Sequence, residues 1–201
     1  PSLVPTVVSE RRGIVCVGDA DPINVQIVLA LQGIEEVTVL GEGWEDLPLD
    51  INYEVSLPIA ERGTLFAGAK IVVELAPSLR QQSITRRSHS EMGISSFVLE
   101  AAAVCTASVV FDRPGIAEHF DIENEVFMYR GNDDLGQLLP MLLASFSDIE
   151  TVAHNAWHRV HSDHTWSQRW QSILEPWLPH YESDPEEDVL KMKARQSVAV
   201  N

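Results

Sequence analysis

Gly13-Ile14-Val15-Cys16-Val17-Gly18 is an unbroken apolar run closed by glycine, the pattern of a strand buried on both faces. A helix follows it directly. Asp21 suits the N-cap and Pro22 the first helical position. Val25, Val28 and Leu29, with Leu31 at the margin, form the expected apolar face, and Gly33 closes the helix. Val37-Thr38-Val39-Leu40 then reads as a second strand. Two strands joined through a helix form a crossover unit, which calls for parallel pairing.

The alternation continues along the chain. A short helix is expected at residues 58–66, a strand at 71–75, a helix at 97–104, a strand at 107–111 and a last strand at 126–129. Beyond these the pattern is helical: from 133 or 134 to 144, from 148 to about 161, and from 165 to 177, with Asp148 and Thr165 as candidate caps. The predicted class is α/β, a doubly wound, Rossmann-like parallel sheet with a helical pair at the C-terminal end. Residues 1–11 read as an N-terminal extension, 12–178 as the domain, and 179–201 as an acidic, flexible tail carrying Glu182, Asp184, Glu186, Glu187 and Asp188.

Composition narrows the partners. With 201 residues and 45% hydrophobic content the chain can bury a normal core. No apolar run approaches the ~18 residues of a membrane span, and no basic-then-apolar leader opens the sequence, so the expected compartment is the cytoplasm. Cys16 and Cys105 sit in or beside apolar runs and read as small hydrophobes, a disulfide between them being the alternative. A formal charge of −16 argues against nucleic acid as a partner. That charge is uneven. Residues 35–54 hold acids and no Lys or Arg, whereas Arg62, Lys70, Arg80, Arg86 and Arg87 form a basic island just before residue 95, where a small phosphorylated ligand can be held, a solvated basic loop being the alternative.

The stretch from Ser95-Ser96-Phe97-Val98-Leu99-Glu100 through Ala101-Ala102-Ala103, the apolar run to Phe111, and Asp112-Arg113-Pro114-Gly115 places Glu100 at the carboxyl edge of a parallel sheet, where open α/β sheets take their ligands. Farther on come Trp157-His158-Arg159-Val160 and His164-Thr165-Trp166-Ser167-Gln168-Arg169. In this order, over roughly residues 12–178, the chain resembles the C-terminal, donor-binding half of group 1 glycosyltransferases of the GT-B fold. The resemblance implies a domain that holds a nucleotide diphosphate sugar, Glu100 meeting the ribose. The acceptor and the general base belong to a separate N-terminal domain that 201 residues do not accommodate. The chain departs from that family at Asn24, where an Arg is common, at Phe97, where a basic residue is common, and at Cys105, where Gly is usual.

Glycosyl transfer without a metal needs cations and amide dipoles on the leaving diphosphate. Arg86 and Arg87, with the amides up to Ser95 and Ser96, are the candidates; Glu91 is the candidate for the sugar hydroxyls, and Gly18 and Asp19 border the same cleft. Catalytic residues are not assigned. His154, His158 and His161 recur at helical spacing, with His164 or Asp163 beyond, and zinc is an alternative role for them. The adjacent Trp157, Val160 and Trp166 instead mark a packed amphipathic helix, so no metal and no cofactor is expected. Trp44, Trp170 and Trp177 are candidates for a surface facing an acceptor-domain protein or a second copy, with core packing as the alternative. Three functions stay open: half of a split or truncated transferase, a non-catalytic interaction or regulatory module on the same fold, or an unrelated small α/β binding protein with similar turns.

Overall fold

A computed structural model describes residues 10–76 and 94–175. Its centre is a six-stranded, all-parallel sheet in the order β3-β2-β1-β4-β5-β6. The strands are β1 (Ile14–Val17), β2 (Val37–Leu40), β3 (Asn52–Glu54), β4 (Ile71–Glu74), β5 (Ser108–Phe111) and β6 (Phe127–Tyr129). The helices are α1 (Pro22–Gln32), α2 (Ile59–Gly68), α3 (Ser96–Ala103), the short α4 (Ile116–His119), α5 (Asn132–Ala144), α6 (Phe146–Asp163) and α7 (Trp166–Leu174). The chain divides into two compact units after His164, so α7 forms part of the second. None of the helices among the described residues is long and apolar enough to cross a membrane.

Successive residues of a strand point to opposite faces, and β1 feeds two cores. Ile14 and Cys16 pack with Ile27, Val28 and Leu31 of α1 and with Leu135 and Leu139 of α5. Val15 and Val17 pack instead with Phe66 of α2 and Ala101 of α3. Helix α6 serves both sides of the sheet, with Ile149 and Val152 in the first core and Ala156 and Val160 in a third cluster around Val110 and Ile116. Burial pushes the Cys16 thiol up to about 12. Neither cysteine is bonded to another.

Local chemistry sets the element ends. The Asp21 side chain accepts from the amides of Ile23 at 2.9 Å and Asn24 at 2.8 Å, capping α1 with Pro22 at its first turn. Thr165 caps α7, with Gln168 returning a hydrogen bond to the Thr165 amide at 2.9 Å. Asp148 is not a cap: α6 starts at Phe146, and the Asp148 carboxylate accepts from the Ser145 hydroxyl at 2.6 Å. The buried face of α1 is Asn24, Ile27, Val28 and Leu31, while Leu29 is exposed. Counting Asn24 as polar turns the predicted stripe out of phase.

The turns after β1 and β2 meet almost backbone to backbone. A Cβ on Gly41 would lie 2.1 Å from the Gly18 carbonyl oxygen, and Gly18 itself has φ +152°. Trp44, buried in the core, donates from its indole to that same carbonyl at 2.8 Å. Gly136 differs, because it sits exposed inside α5 with nothing within 4 Å of an added Cβ. Gly41→Ala is therefore expected to cost about 2–3 kcal/mol of stability by overpacking, and Gly136→Ala to add about 0.5–1 kcal/mol by relieving helix entropy. Urea unfolding of the two variants checks the opposite signs; a neutral Gly41→Ala would contradict the close approach.

Candidate functional site

The order β3-β2-β1-β4-β5-β6 reverses direction between β1 and β4, and open sheets bind ligands beyond the strand ends at such a point. A cleft of about 450 Å³ lies there. Gly18 and Asp19 after β1, Glu42 after β2, Ala76 after β4, Ser95 before α3 and Arg113 after β5 all contribute to its wall. Buried Asn24 fixes two of these turns together, its amide donating to the carbonyls of Asp19 at 2.9 Å and Ala76 at 3.1 Å.

Glu100 lies inside a helix, as the helix expected at 97–104 implies, but its carboxylate meets a cation and does not line the cleft. Ser95 accepts from the Phe97 amide at 3.3 Å and starts α3 at Ser96, so the apolar run and the alanines form one helix with Glu100 inside it. Its two carboxylate oxygens accept from Nε and Nη2 of Arg62 at 2.8 and 2.9 Å, and Arg62 Nη1 donates to the Leu57 carbonyl at 2.8 Å. The guanidinium stands 5.4 Å over the Phe97 ring. Hydrogen bonding to Glu100 raises the Arg62 pKa further. Arg62 and Phe97 line the cleft, whereas Glu100 and Ser96 are not among its lining residues. Arg86, Arg87 and Glu91 lie outside the described residues.

A second ion pair spans the ends of β4 and β5. Arg113 Nη2 donates to Glu74 Oε2, both side chains line the cleft and both are about nine-tenths buried. The Tyr129 hydroxyl donates to the Glu74 carbonyl at 2.9 Å. Burial first, and then the nearby Glu74 charge, raise the phenol above its ordinary range. Sequence reading named Arg62 only as part of the basic island and missed Glu74 and Arg113 as cleft residues. The available signal was a charged residue at or just beyond the end of an apolar strand, at Glu74 in Ile71-Val72-Val73-Glu74 and at Arg113 after Phe111.

The histidines are elsewhere. On α6 the Nε2 atoms of His154 and His158 approach to 3.0 Å, and His161 Nδ1 lies 2.9 Å from the Trp157 carbonyl. Among the described residues no three His, Cys, Asp or Glu side chains converge on one point. Trp44 is core, Trp170 on α7 is 54% exposed, and Trp177 lies outside the described residues.

A sequence profile for a family described as glycosyl transferase-like matches residues 25–175. The chain belongs to the glycosyl transferase-like family. No curated protein matches it significantly. Solved structures resemble this glycosyl transferase-like chain throughout most of its length and carry the GT-B, group 1 fold. The C-terminal domain of LpcC, a group 1 glycosyl transferase family protein from Francisella tularensis, matches with a TM-score of 0.56 and 14% identity over 78% of this chain and 88% of that one. HepE from Anabaena in complex with UDP and glucose gives 0.63 and 14%, covering 83% of this chain and 48% of HepE. TarM from S. aureus gives 0.60 and 16%, covering 86% and 35%. At these identities the likeness is one of fold, and the chain spans about a third to a half of TarM and HepE.

Arg62→Met leaves the Glu100 carboxylate in a nearly closed site without its cation and is expected to cost about 3 kcal/mol. The double variant Arg62→Met/Glu100→Met should recover most of that loss. Urea unfolding followed by circular dichroism checks it, and a double-variant loss equal to the sum of the Arg62→Met and Glu100→Met losses would show that the pair carries no coupling.

Proposed function

We propose that this chain is the donor-binding domain of a group 1-type glycosyltransferase and takes a nucleotide diphosphate sugar in the cleft between β1 and β4. The single observation that carries this reading is the cleft at the switch point of an all-parallel sheet, in a chain of the glycosyl transferase-like family. HepE, described in complex with UDP-glucose, supports the ligand class. The domain is taken as residues 12–178, in the cytoplasm, with 1–11 an extension and 179–201 an acidic tail. Gly18, Asp19 and Ser95 are the proposed wall contacts, with the amide of Ser96 behind them at the start of α3. Arg86 and Arg87 are proposed for the diphosphate and Glu91 for sugar hydroxyls.

Glu100 acts through Arg62 in this reading. Where the family commonly has a basic residue, this chain has Phe97, and the Arg62 guanidinium covers that ring. Glu100 is thus a positioning residue for a cation in the wall, with both carboxylate oxygens occupied. The acceptor would come from another domain or a second copy, for which exposed Trp170 offers apolar surface.

One observation favours the second reading, a non-catalytic module on the same fold. Both arginines described in the cleft wall, Arg62 and Arg113, are already bonded to carboxylates. A developing diphosphate charge needs cations aimed at it.

Calorimetric titration of the chain with UDP, GDP and dTDP, taken above ~1 mM, tests the proposal. Saturable heat with one of the three is expected. Absence of heat with all of them overturns nucleotide binding.

A further inference from the structure

Glu74 and Arg113 carry an inference of their own, which rests on the proposed nucleotide-sugar reading of the cleft. Arg113 is a five-donor side chain, yet its bonded partner among the described residues is Glu74 alone, through Nη2. Its Nε–H is buried and has no partner among the described residues. Nη1 also has no bonded partner among the described residues and, unlike Nε, is not sealed from solvent, so it is the donor that a ligand oxygen in the cleft can reach. Glu74 supplies the complementary chemistry, since a carboxylate has two acceptor oxygens and Arg113 takes Oε2.

The charge of the pair decides the ligand group. The guanidinium is neutralised by its own carboxylate, and Asp19 and Glu42 line the same cleft. A phosphate therefore gains little there. A sugar ring presents neighbouring hydroxyls, each both donor and acceptor, and a fixed acceptor beside a fixed donor matches two of them at once. We propose that Glu74 and Arg113 read a pair of adjacent hydroxyls on a sugar ring, the Glu74 carboxylate accepting from one and Arg113 Nη1 donating to the other. The pair is held for this by the ends of β4 and β5 and by the Tyr129 hydroxyl on the Glu74 carbonyl at 2.9 Å. The hydroxyls belong to the ribose or to the transferred sugar.

The test compares the full chain with Glu74→Leu/Arg113→Met, which removes both charges and their hydrogen-bonding atoms together and strands neither partner. The probes are UDP and GDP, the 2′,3′-dideoxy form and the glucose conjugate of whichever binds more tightly, and inorganic pyrophosphate. Loss of two hydrogen bonds predicts about tenfold weaker binding of the ligand that carries the hydroxyls. A ribose reader loses that factor for the diphosphate itself and none for the dideoxy form. A reader of the transferred sugar loses it for the glucose conjugate alone. Unchanged affinity for every probe overturns the inference while the binding reading stands, as does an equal loss for pyrophosphate. No binding by the unaltered chain overturns both. Should the double variant fail to fold, the unaltered chain is titrated with the diphosphate, its 2′,3′-dideoxy form and the glucose conjugate, and equal affinity for all three overturns the inference.

Discussion

Every strand of this sheet runs in the same direction, and the rest of the molecule depends on that constraint. Parallel neighbours cannot be joined by a tight turn, so the connections cross over the faces, and all but that from β2 to β3 carry helices. The winding starts at β1 and proceeds outward to β3 on one side and to β6 on the other. The turns after β1 and β4 therefore part company, and a cleft opens between them. Gly18 and Gly41 hold its floor close because neither carries a side chain there, and Trp44 ties down the Gly18 carbonyl from the core.

Electrostatics then shapes what the cleft can hold. The chain carries a formal charge of −16, but the arginines of the described wall are not free countercharges to it. Arg62 is clamped by Glu100 and by the Leu57 carbonyl, and Arg113 is clamped by Glu74. Such pairs are costly to break and contribute little net charge. A wall of this kind orients polar, hydroxyl-bearing groups better than it neutralises a phosphate. Any strong attraction for a diphosphate has to come from elsewhere in the sequence, and Arg80, Arg86 and Arg87 are the cations between β4 and α3.

What the sequence made legible follows a physical rule. Elements specified within a few residues were readable: the apolar run of β1, Asp21 with Pro22 at α1, and Thr165 with Gln168 at α7. β3 was not, because its three residues are exposed and polar or aromatic at the sheet's edge and carry no burial pattern. Cys105 stands where the family usually has glycine, and its backbone takes the left-handed conformation, φ 60°, that glycine favours. That the cleft lies beyond the carboxyl ends of the strands was legible from the parallel α/β class, whereas its ion pairs were not. Arg62 and Glu100 lie 38 residues apart and Glu74 and Arg113 lie 39 apart, and no local periodicity links residues at such separations. Glu100 was readable as special but not as the partner of Arg62, since its partner is set by the packing of α2 against α3.

The most direct measurement is the change in backbone amide shifts of the 15N-labelled chain as UDP-glucose is added. Progressive, saturable shifts at Gly18, Asp19 and Ser95, with His154 and His158 on α6 unmoved, are the expected result. Shifts that gather on α6 or at the opposite edge of the sheet, or none at any concentration up to ~1 mM, would contradict a ligand seated beyond the ends of β1 and β4.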